Sequence, residues 1–351
     1  MSKILIAMSG GVDSSVAALM MKKQGHDVYG VTMKLHFSDS EDSTCLTSKD
    51  IEDARKVCEK LKIPYSVVDF SEDFDKYVIK SFIEAYENGA TPNPCIGCNY
   101  HLKFDKLYKY GKELGYDRIV TGHYARIEYD EKYGRRVLKK AEDVSKDQSY
   151  VLFRLSAEQL ENTDFPLGAY SKDMIREIAK EADLELGDKK DSQDICFVPD
   201  GDYVSFIRNY TKKDYPCGRF VTKDGKILGT HKGIIGYTIG QRKGLGLALP
   251  HSMYVVEKRL DTNEVVIGEH EDLFSKELYA DSVNLSAIDF IDTPLRLKAR
   301  VRYNQKEQDA TVTMENGLLH VVFDEPQRAI SKGQSVVLYD GNTVIGGGRI
   351  I

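Results

Sequence analysis

The residues best suited to chemistry in this 351-residue chain stand near its start, in Ser9-Gly10-Gly11-Val12-Asp13-Ser14-Ser15. An apolar run from Ile4 to Met8 precedes them, and Val16, Leu19 and Met20 follow at helical spacing, which predicts a strand, a glycine loop and a helix. Two glycines let the backbone turn sharply, and the first turn of a helix favours an anion. The segment therefore predicts a phosphate or pyrophosphate site, with a ligand-free Gly-Gly turn as the alternative.

Cysteine is the second reactive residue type. A Cys-Xaa-Xaa-Cys motif, Cys95 to Cys98, follows Pro92-Asn93-Pro94 on a loop that we expect just before a helix. The dipole of that helix would stabilise a thiolate, so Cys98 is a candidate nucleophile. The motif also occurs in zinc, thioredoxin-like and iron–sulfur sites, although the second ligand pair that zinc needs is missing from the sequence. Cys196 is the other candidate thiol, at the end of a charged loop predicted over 187–197.

Strands and helices alternate through the first 120 residues or so. The predicted strands after the first are 27–33, 65–68 and 118–121, and the predicted helices are 47–61, 71–88 and 99–114, with a loop over 89–97. This alternation predicts an α/β fold with a parallel, doubly wound sheet. Ligands of such sheets bind outside the carboxyl ends of the strands. Met33 closes the second predicted strand and Gly122 follows the fourth, so we expect both beside the glycine loop.

The later chain predicts smaller, β-rich modules. Residues 125–140 predict a polar hairpin around Gly134, and from about residue 203 short glycine-rich β-runs such as 233–240 replace long helices. A break is expected near 272–279, and barrel-like strands follow at 295–303, 309–314, 318–323 and 335–339. We predict three domains: a nucleotide-binding domain over 1–202, a small central β-rich domain over 203–271 and a C-terminal β-barrel over 272–351.

Charge and composition narrow the class of protein. The formal net charge is −6, yet residues 205–260 hold eleven Lys and Arg against three Asp and Glu. That basic segment predicts a local contact with a phosphate backbone, against the alternative of a solvated lysine-rich surface. No apolar stretch approaches the ~18 residues of a membrane span, and six cysteines in a chain of this length do not resemble a secreted disulfide framework. We expect a cytoplasmic protein with no membrane partner.

A series of motifs between residues 4 and 348 resembles the bacterial tRNA-specific 2-thiouridylases, a family of the PP-loop ATP pyrophosphatase superfamily. The motifs, in order, are 7–15, Thr91-Pro92-Asn93-Pro94, Cys98-Asn99, 121–126, Lys146-Asp147-Gln148-Ser149-Tyr150, Ile195-Cys196-Phe197, 236–246 and Pro326-Gln327-Arg328-Ala329. The resemblance implies a PP-loop domain, a small central domain and a C-terminal barrel. It also implies a sulfurtransferase that acts on the wobble uridine (position 34) of tRNAs for Lys, Glu and Gln.

The resemblance assigns roles to individual residues. ATP with Mg2+ would bind at Ala7, Met8, Ser9, Gly10, Gly11, Val12, Asp13 and Ser14, together with Met33 and Gly122. The C2 oxygen of the uracil would be adenylated, and a persulfide on Cys196 would deliver sulfur to C2. Cys98 would act as nucleophile and release the sulfur by forming a disulfide with Cys196. Two thiols are needed because a persulfide gives up its outer sulfur only when another thiol or reductant takes the inner one.

The same resemblance implies the partners. One is tRNA, and the other is a sulfur donor, either a persulfide-donating sulfur-relay protein or a cysteine desulfurase. The residues expected to face the flipped base are Asn93, Pro94 and Cys95, and those expected to contact tRNA elsewhere are Lys146, Asp147, Gln148, Arg302 and Tyr303.

One departure from the family leaves the sulfur chemistry open. Many members have Asp, the proposed general base, where this chain has Cys95. Cys95, Cys98 and Cys196 would alternatively hold three irons of a cluster of the 4Fe–4S type, whose fourth iron carries sulfide. Two other classes remain: a carboxylate-adenylating synthetase, which would have no use for the two thiols, and a non-catalytic RNA-binding protein, which would not need Asp13.

The basic segment yields the first testable prediction. Changing Arg242 and Lys243 together to Gln should weaken tRNA binding regardless of sequence, because phosphate contacts release counterions without reading bases. The slope of log affinity against log salt concentration should decrease in magnitude by about 1 to 2. The matched control changes Lys22 and Lys23, outside the segment, to Gln. An unchanged slope in the first variant would favour the solvated-surface interpretation.

Overall fold

The first domain of the chain is built on a five-stranded parallel sheet. The structure, a computed structural model, describes residues 1–36, 46–184, 195–198 and 200–351. The strands of this sheet are β1 (Lys3–Ala7), β2 (Asp27–Lys34), β3 (Tyr65–Asp69), β4 (Arg118–Val120) and, after two strands of another sheet, β7 (Thr163–Asp164). Their order is β3-β2-β1-β4-β7, and each neighbouring pair is parallel. The predicted doubly wound sheet is therefore confirmed, and β7 is a strand that the sequence analysis missed.

Helices cover both faces of this sheet. They are α1 (Val12–Lys23), α2 (Ser48–Leu61), α3 (Ser71–Phe74, Asp75–Ile79 and Lys80–Glu87 in succession), α4 (Pro94–Cys98, Asn99–Lys106 and Leu107–Glu113 in succession), α5 (Ser149–Leu152), α6 (Ala157–Glu161) and α7 (Lys172–Glu181). The middle parts of α3 and α4 are π-helical, a local widening that is frequent at functional sites. Of the predicted loop at 187–197, residues 187–194 lie outside the described ranges.

Helix α4 begins five residues earlier than predicted. The expected loop over 89–97 ends at Asn93, whose side chain accepts a hydrogen bond from the Cys95 amide at 3.1 Å, and Pro94 is the first helical residue. Asn at the N-cap followed by Pro is a strong helix start, because the cap satisfies a free N–H and proline has none to lose. Both cysteines of the motif therefore lie within the helix and not in front of it.

The central domain is a small sheet that carries one helix. Helix α8 (Tyr203–Thr211) precedes β8 (Gly218–Val221), β9 (Ile227–His231), β10 (Tyr254–Arg259) and β11 (Glu264–Gly268), which pair in the order β10-β11-β8-β9. Helix α8 has nine residues, so the domain combines one short helix with the predicted β-strands. Residues 233–240 are not a strand: Ile234–Gly236 form a 3-10 turn, and Gly233 at φ +117° adopts a backbone conformation that interrupts a strand.

The C-terminal strands close into a barrel. The strands are β12 (Phe274–Leu285), β13 (Leu295–Arg300), β14 (Gln308–Glu315), β15 (Leu318–Arg328), β16 (Ser335–Asp340) and β17 (Thr343–Ile350). They pair in the order β12-β15-β14-β13-β16-β17, and β17 pairs back to β12. The predicted barrel is confirmed. Its first strand, β12, starts at Phe274, within the region 272–279 where the break between the two modules is expected. The predicted hairpin, β5 (Arg126–Asp130) and β6 (Arg135–Lys139), extends the barrel sheet beyond β17.

The barrel and the parallel sheet share one hydrophobic core. Leu5 and Ile119 of the sheet lie in the same buried cluster as Tyr339 and Val344 of the barrel, with Phe153 between them. A second shared cluster joins α3 and α4 to Ile207 of the central helix α8. Within the described ranges, no helix combines the length and the hydropathy needed to cross a bilayer.

Substitution of Asn284 tests how much its hydrogen bonds stabilise the attachment of the barrel to the first domain. The Asn284 amide, on β12, donates hydrogen bonds to the carbonyls of Phe153 at 2.8 Å and Leu155 at 3.1 Å. We expect Asn284→Ala to lower the free energy of unfolding by about 1–3 kcal/mol, because two carbonyls lose their donor. The control is Asn209→Ala, an exposed change on α8. Equal melting temperatures for the two variants would mean that these bonds do not hold the barrel in place.

Candidate functional site

The glycine loop lies where β1 ends and α1 begins. The Ser9 amide donates to the Ser14 hydroxyl at 3.1 Å, and the hydroxyls of Ser14 and Ser15 donate to the Gly11 carbonyl at 3.1 and 2.9 Å. Gly11 is the N-cap of α1 and supplies no side-chain oxygen to it. The serines therefore fold the loop back on itself, and the free amides of the first turn remain open to an anion.

Two glycines allow other backbone segments to approach the loop. Gly10 has φ +68°, and a Cβ there would lie 2.3 Å from the Asp50 carbonyl oxygen. A Cβ on Gly122, which follows β4, would lie 2.8 Å from the Asp13 carbonyl carbon and from the Ser14 amide nitrogen. Any larger residue would push these segments apart. The motif glycines are thus required by packing at the carboxyl edge of the sheet.

Asp13 is held by a cation that the sequence analysis did not single out. The Lys172 ammonium lies 2.8 Å from both carboxylate oxygens of Asp13, and the Tyr124 hydroxyl donates to one of them at 2.7 Å. Lys172 begins α7, which packs against α1 through Ile175. A lysine in the first turn of a helix opposes the helix dipole. This unfavourable position is the feature of the sequence that could have indicated a functional role for Lys172.

These elements enclose a cavity of about 430 Å3 at the carboxyl edge of the sheet. Nine of the ten predicted ATP-binding residues line it, namely Ala7, Met8, Ser9, Gly11, Val12, Asp13, Ser14, Met33 and Gly122. Gly10 supports the loop from outside the lining. The volume lies within the usual range for small-ligand sites. Asp13 and Asp50 also line the cavity, and Mg2+ beside substrate phosphates is typically bound by one or two carboxylates. The Asp50 carboxylate accepts hydrogen bonds from the amide and hydroxyl of Thr47 at 2.9 and 2.7 Å, so Asp13 is the better placed of the two.

Cations reach the cavity from two sides. Lys172 and Arg176 come from α7, and Lys103 comes from the π-helical part of α4. Burial, and to a smaller extent the charge of Lys103, hold the pKa of His123 well below its usual value. His123 is therefore neutral at pH 7 and accepts or donates a 2.6 Å hydrogen bond with Thr121. The Lys103 charge also opposes the larger effect of burial, which raises the pKa of the Cys98 thiol. A polyanion such as triphosphate suits this lining.

The two candidate thiols occupy different environments. Cys196 lines the cavity and is half-buried, whereas Cys98 is 8% exposed within an apolar cluster against which Cys196 also packs. Burial raises the pKa of Cys98 to about 11, which outweighs the opposing charge of Lys103. The expectation of a thiolate stabilised by the helix is therefore wrong for this conformation, because desolvation of a fully enclosed sulfur exceeds the effect of the dipole. Neither cysteine is part of a disulfide.

The three cysteines of the iron–sulfur alternative are neighbours in different environments. Among the described residues, which include Cys95, Cys98 and Cys196, no three His, Cys, Asp or Glu side chains converge on a point where one metal ion would be held. Cys95 is exposed on the first turn of α4, Cys98 is buried, and Cys196 faces the nucleotide cavity. Each cysteine of a 4Fe–4S cluster would bind a different iron, so the cluster route stays an alternative that iron analysis tests.

The segment expected to contact tRNA divides into different environments. Asp147 is 5% exposed, and its carboxylate accepts hydrogen bonds from the amides of Ala141 and Ser149, each at 3.1 Å. Its side chain is thus engaged inside the protein. Gln148 lines the nucleotide cavity and accepts a 2.8 Å hydrogen bond from the Tyr124 amide. Lys146 is partly exposed at the start of the segment.

The barrel residues expected to contact tRNA also make internal contacts. Arg302 donates to the carbonyls of Ile239 at 3.2 Å and Ala329 at 2.7 Å, so it joins the central domain to the barrel. The Tyr303 hydroxyl donates to the Asp147 carbonyl at 3.2 Å. Tyr303 also lies near Cys95, whose charge contributes to the raised pKa of the tyrosine, although burial is the main cause. The structure thus brings Tyr303 and Cys95 into one neighbourhood, while Asn93 and Pro94 line a separate cavity on the other side of α4.

The fold and the cavity define the class: an ATP-using α/β domain with a phosphate-binding loop after its first strand. Residues 2–200 match the family described as "tRNA methyl transferase HUP domain", 204–269 match "tRNA methyl transferase PRC-barrel domain", and 275–350 match "Aminomethyltransferase beta-barrel domain".

Curated relatives identify the family. The "tRNA-specific 2-thiouridylase MnmA" of Clostridioides difficile (strain 630) is 51% identical over 352 residues, which cover 99% of this chain and 98% of the relative. The protein of the same name from Clostridium acetobutylicum is 49% identical and covers 99% of both chains. A solved 4-thiouridine synthetase–RNA complex with bound ATP is 18% identical, covers 60% of this chain and 50% of its own, and has a TM-score of 0.35, too low to support a conclusion. The chain belongs to the tRNA-specific 2-thiouridylase family, which confirms the resemblance.

Gly10 offers a test of the nucleotide site with a matched control. Gly10→Ala should weaken ATP binding by about tenfold or more, because its Cβ would displace the Asp50 backbone. Gly25→Ala carries a similar positive-φ strain, at +82°, but meets no atom within 4 Å, so it should bind ATP like the wild type. Titration calorimetry measures both. Equal affinities would show that the approach of Asp50 does not shape the loop.

Proposed function

We propose that this chain converts the C2 carbonyl of the wobble uridine of tRNA into a thiocarbonyl, at the expense of ATP. The observation that carries the proposal is the position of Cys196 in the lining of the cavity that contains the glycine loop. One cavity then holds both the group that activates oxygen and the group that delivers sulfur. The names of the matched families mention methyl transfer, but a methyl transferase needs no thiol beside a nucleotide loop.

The first step activates the oxygen. The C2 oxygen of the uracil attacks the α-phosphorus of ATP, pyrophosphate leaves, and the N3 proton is lost, which yields an O-adenylated base. The α1 amides and the cations Lys103, Lys172 and Arg176 are placed to hold the phosphates. Asp13 and Asp50 would bind Mg2+, which supplies charge neutralisation of the phosphates. Lys172 would then exchange its contact with Asp13 for a contact with phosphate.

The second step replaces oxygen by sulfur. The outer sulfur of a persulfide on Cys196 attacks C2 and AMP leaves, so that the base is joined to Cys196 through a disulfide. The Cys98 thiolate then attacks the Cys196 sulfur, the thiocarbonyl is released, and a Cys98–Cys196 disulfide remains. A dithiol reductant restores both thiols. The persulfide itself comes from a sulfur-donor protein, either a relay protein or a cysteine desulfurase.

The buried state of Cys98 requires help for this attack. With a pKa near 11, only about one thiol in ten thousand is ionised at pH 7. Lys103 is the cation that acts on this thiol and also lines the nucleotide cavity. We infer that Lys103 stabilises the Cys98 thiolate once the substrate has displaced part of the apolar packing. Its position would couple the two steps.

The sulfur step is tested by single substitutions of the thiols. Cys98→Ser and Cys196→Ser should each eliminate 2-thiouridine and retain tRNA-dependent release of pyrophosphate, because activation uses the loop and transfer uses sulfur. Mercury-containing gels report thiolated tRNA, and a coupled assay reports pyrophosphate. Cys217→Ser, which changes an exposed thiol of the central domain, is the matched control and should retain both activities.

Other outcomes would contradict the proposal in distinct ways. Thiolation by Cys196→Ser would remove Cys196 from the sulfur path. Loss of pyrophosphate release in both Ser variants would mean that the thiols serve activation. Anaerobic purification with about four irons per chain, lost in Cys95→Asp, would favour the cluster route over the persulfide route.

A further inference from the structure

A second cavity, of about 530 Å3, lies on the other side of α4 from the nucleotide cavity. Its walls come from α3, from the first turns of α4 and from one end of the barrel. The side chains used below are Tyr77, Glu84, His101, Arg154, Lys332 and Arg349. Apart from Asn93 and Pro94 at its edge, which are expected to face the target base, no residue of this lining has a role in the proposed reaction.

Two arginines in the lining of this cavity lie near a single acid, Asp281. Arg349 is paired with Asp281 through two hydrogen bonds of 2.9 and 2.6 Å. Arg154 makes no hydrogen bond or ion pair within the described part of the chain; burial, the larger cause, lowers its pKa, and the charge of the same Asp281 opposes that shift. Lys332 is exposed and lacks an acidic partner there. Two guanidinium groups thus share one carboxylate, and Arg154, which has no acid of its own in that part of the chain, suits an external anion.

Aromatic rings lie beside these cations. The rings of Tyr77 and His101 stack at 4.7 Å with an interplanar angle of 14°, and the ring of Tyr100 meets His101 edge-on. The Arg154 guanidinium lies over Tyr100 at 4.5 Å from its centre. Burial and the Arg154 charge lower the pKa of His101, so at neutral pH it is an aromatic ring and not a cation. Cations beside stacked rings suit a nucleotide, which offers both a phosphate and a flat base.

The location favours the strand of nucleic acid that the enzyme already holds. Asn93 and Pro94 line the second cavity and belong to the first turn that carries the exposed Cys95. The opposite face of α4 presents Lys103 to the nucleotide cavity. One helix therefore separates the two cavities, and a chain that places a base at the start of α4 would bring its neighbouring nucleotide to the second cavity.

We propose that the second cavity binds one nucleotide of the tRNA strand next to the target uridine. Its phosphate contacts Arg154 and Lys332, and its base lies against Tyr77 and His101. This inference rests on the proposed function, because it takes tRNA as the substrate. Glu84, the acid in the lining, disfavours a second phosphate on its side of the cavity.

The test measures binding of an anticodon stem-loop RNA to the full chain at several salt concentrations. Arg154→Gln should weaken RNA binding by about tenfold, because one phosphate contact is lost. The slope of log affinity against log salt concentration should decrease in magnitude by about 1. Lys332→Gln, an exposed change, should act in the same direction even if Arg154→Gln proves less stable. The control Arg296→Gln, on the outer surface of the barrel, should bind like the wild type. Unchanged affinity and slope in both cavity variants would overturn the inference.

A chemical scan of the RNA locates the contact. Each stem-loop carries a neutral methylphosphonate in place of a single phosphate. At one phosphate near the target uridine, this replacement should weaken binding to the wild-type chain by the same factor as Arg154→Gln does. The same replacement should not weaken binding to the Arg154→Gln variant any further. Tyr77→Leu should lower affinity for every loop sequence, whereas Tyr129→Leu, at an exposed tyrosine of the β5–β6 hairpin, should not. Additive effects at every phosphate would contradict the inference.

Two further outcomes separate this inference from the proposed function. If the wild-type chain binds and thiolates tRNA while the cavity variants do the same, only the inference fails. If the wild-type chain thiolates no tRNA, the proposed function fails first. If Arg154→Gln binds RNA normally but loses thiolation only when a donor protein supplies the sulfur, the cavity docks that protein and the nucleotide assignment is wrong.

Discussion

The segment from Ser149 to Leu155 is buried between the parallel sheet and the barrel, and the geometry of the site depends on that burial. The Tyr150 hydroxyl donates to the Ser335 carbonyl at 2.7 Å inside the shared core. Asp147, just before this segment, receives two backbone amides and lies 3.7 Å from Arg300. With its neighbours fixed on both sides, Gln148 is held at the nucleotide cavity. The barrel is therefore part of the scaffold of the site and not only an appended RNA-binding module.

The charge that lines the two cavities is opposite in sign to the net charge of the chain. The protein is acidic overall, yet cations line both cavities on either side of α4. In the nucleotide cavity the Lys172 ammonium is paired with the Asp13 carboxylate at 2.8 Å. A triphosphate that displaces this pair would gain a cation and free a carboxylate for Mg2+. In the second cavity Arg154 forms no ion pair of its own within the described ranges and shares the charge of Asp281 with Arg349.

The thiols carry a different constraint. Burial protects Cys98 from oxidation and alkylation, and the same burial raises its pKa to about 11 and suppresses its nucleophilicity. A sulfur nucleophile of this kind is inactive until the packing around it changes. Because Cys98 and Leu102 of α4 pack against Phe197 of the segment that carries Cys196, movement of that segment would alter both thiols together.

The sequence by itself determined the family, the order of the modules and most of the nucleotide loop, because these depend on short-range patterns. Apolar runs define buried strands, and glycines occur where backbones must approach, as at Gly10 and Gly122. Asn93-Pro94 is also a local signal, since it marks the N-cap and first residue of α4. The sequence analysis assigns these residues to a loop and therefore places the start of the helix too late. Only the tertiary structure decided which long-range partners meet. Lys172 reaches Asp13 across 159 positions, Asp147 turns inward, and Arg154 and Arg349 come to share one acid, Asp281. Each outcome depends on how separate elements pack and not on local propensity.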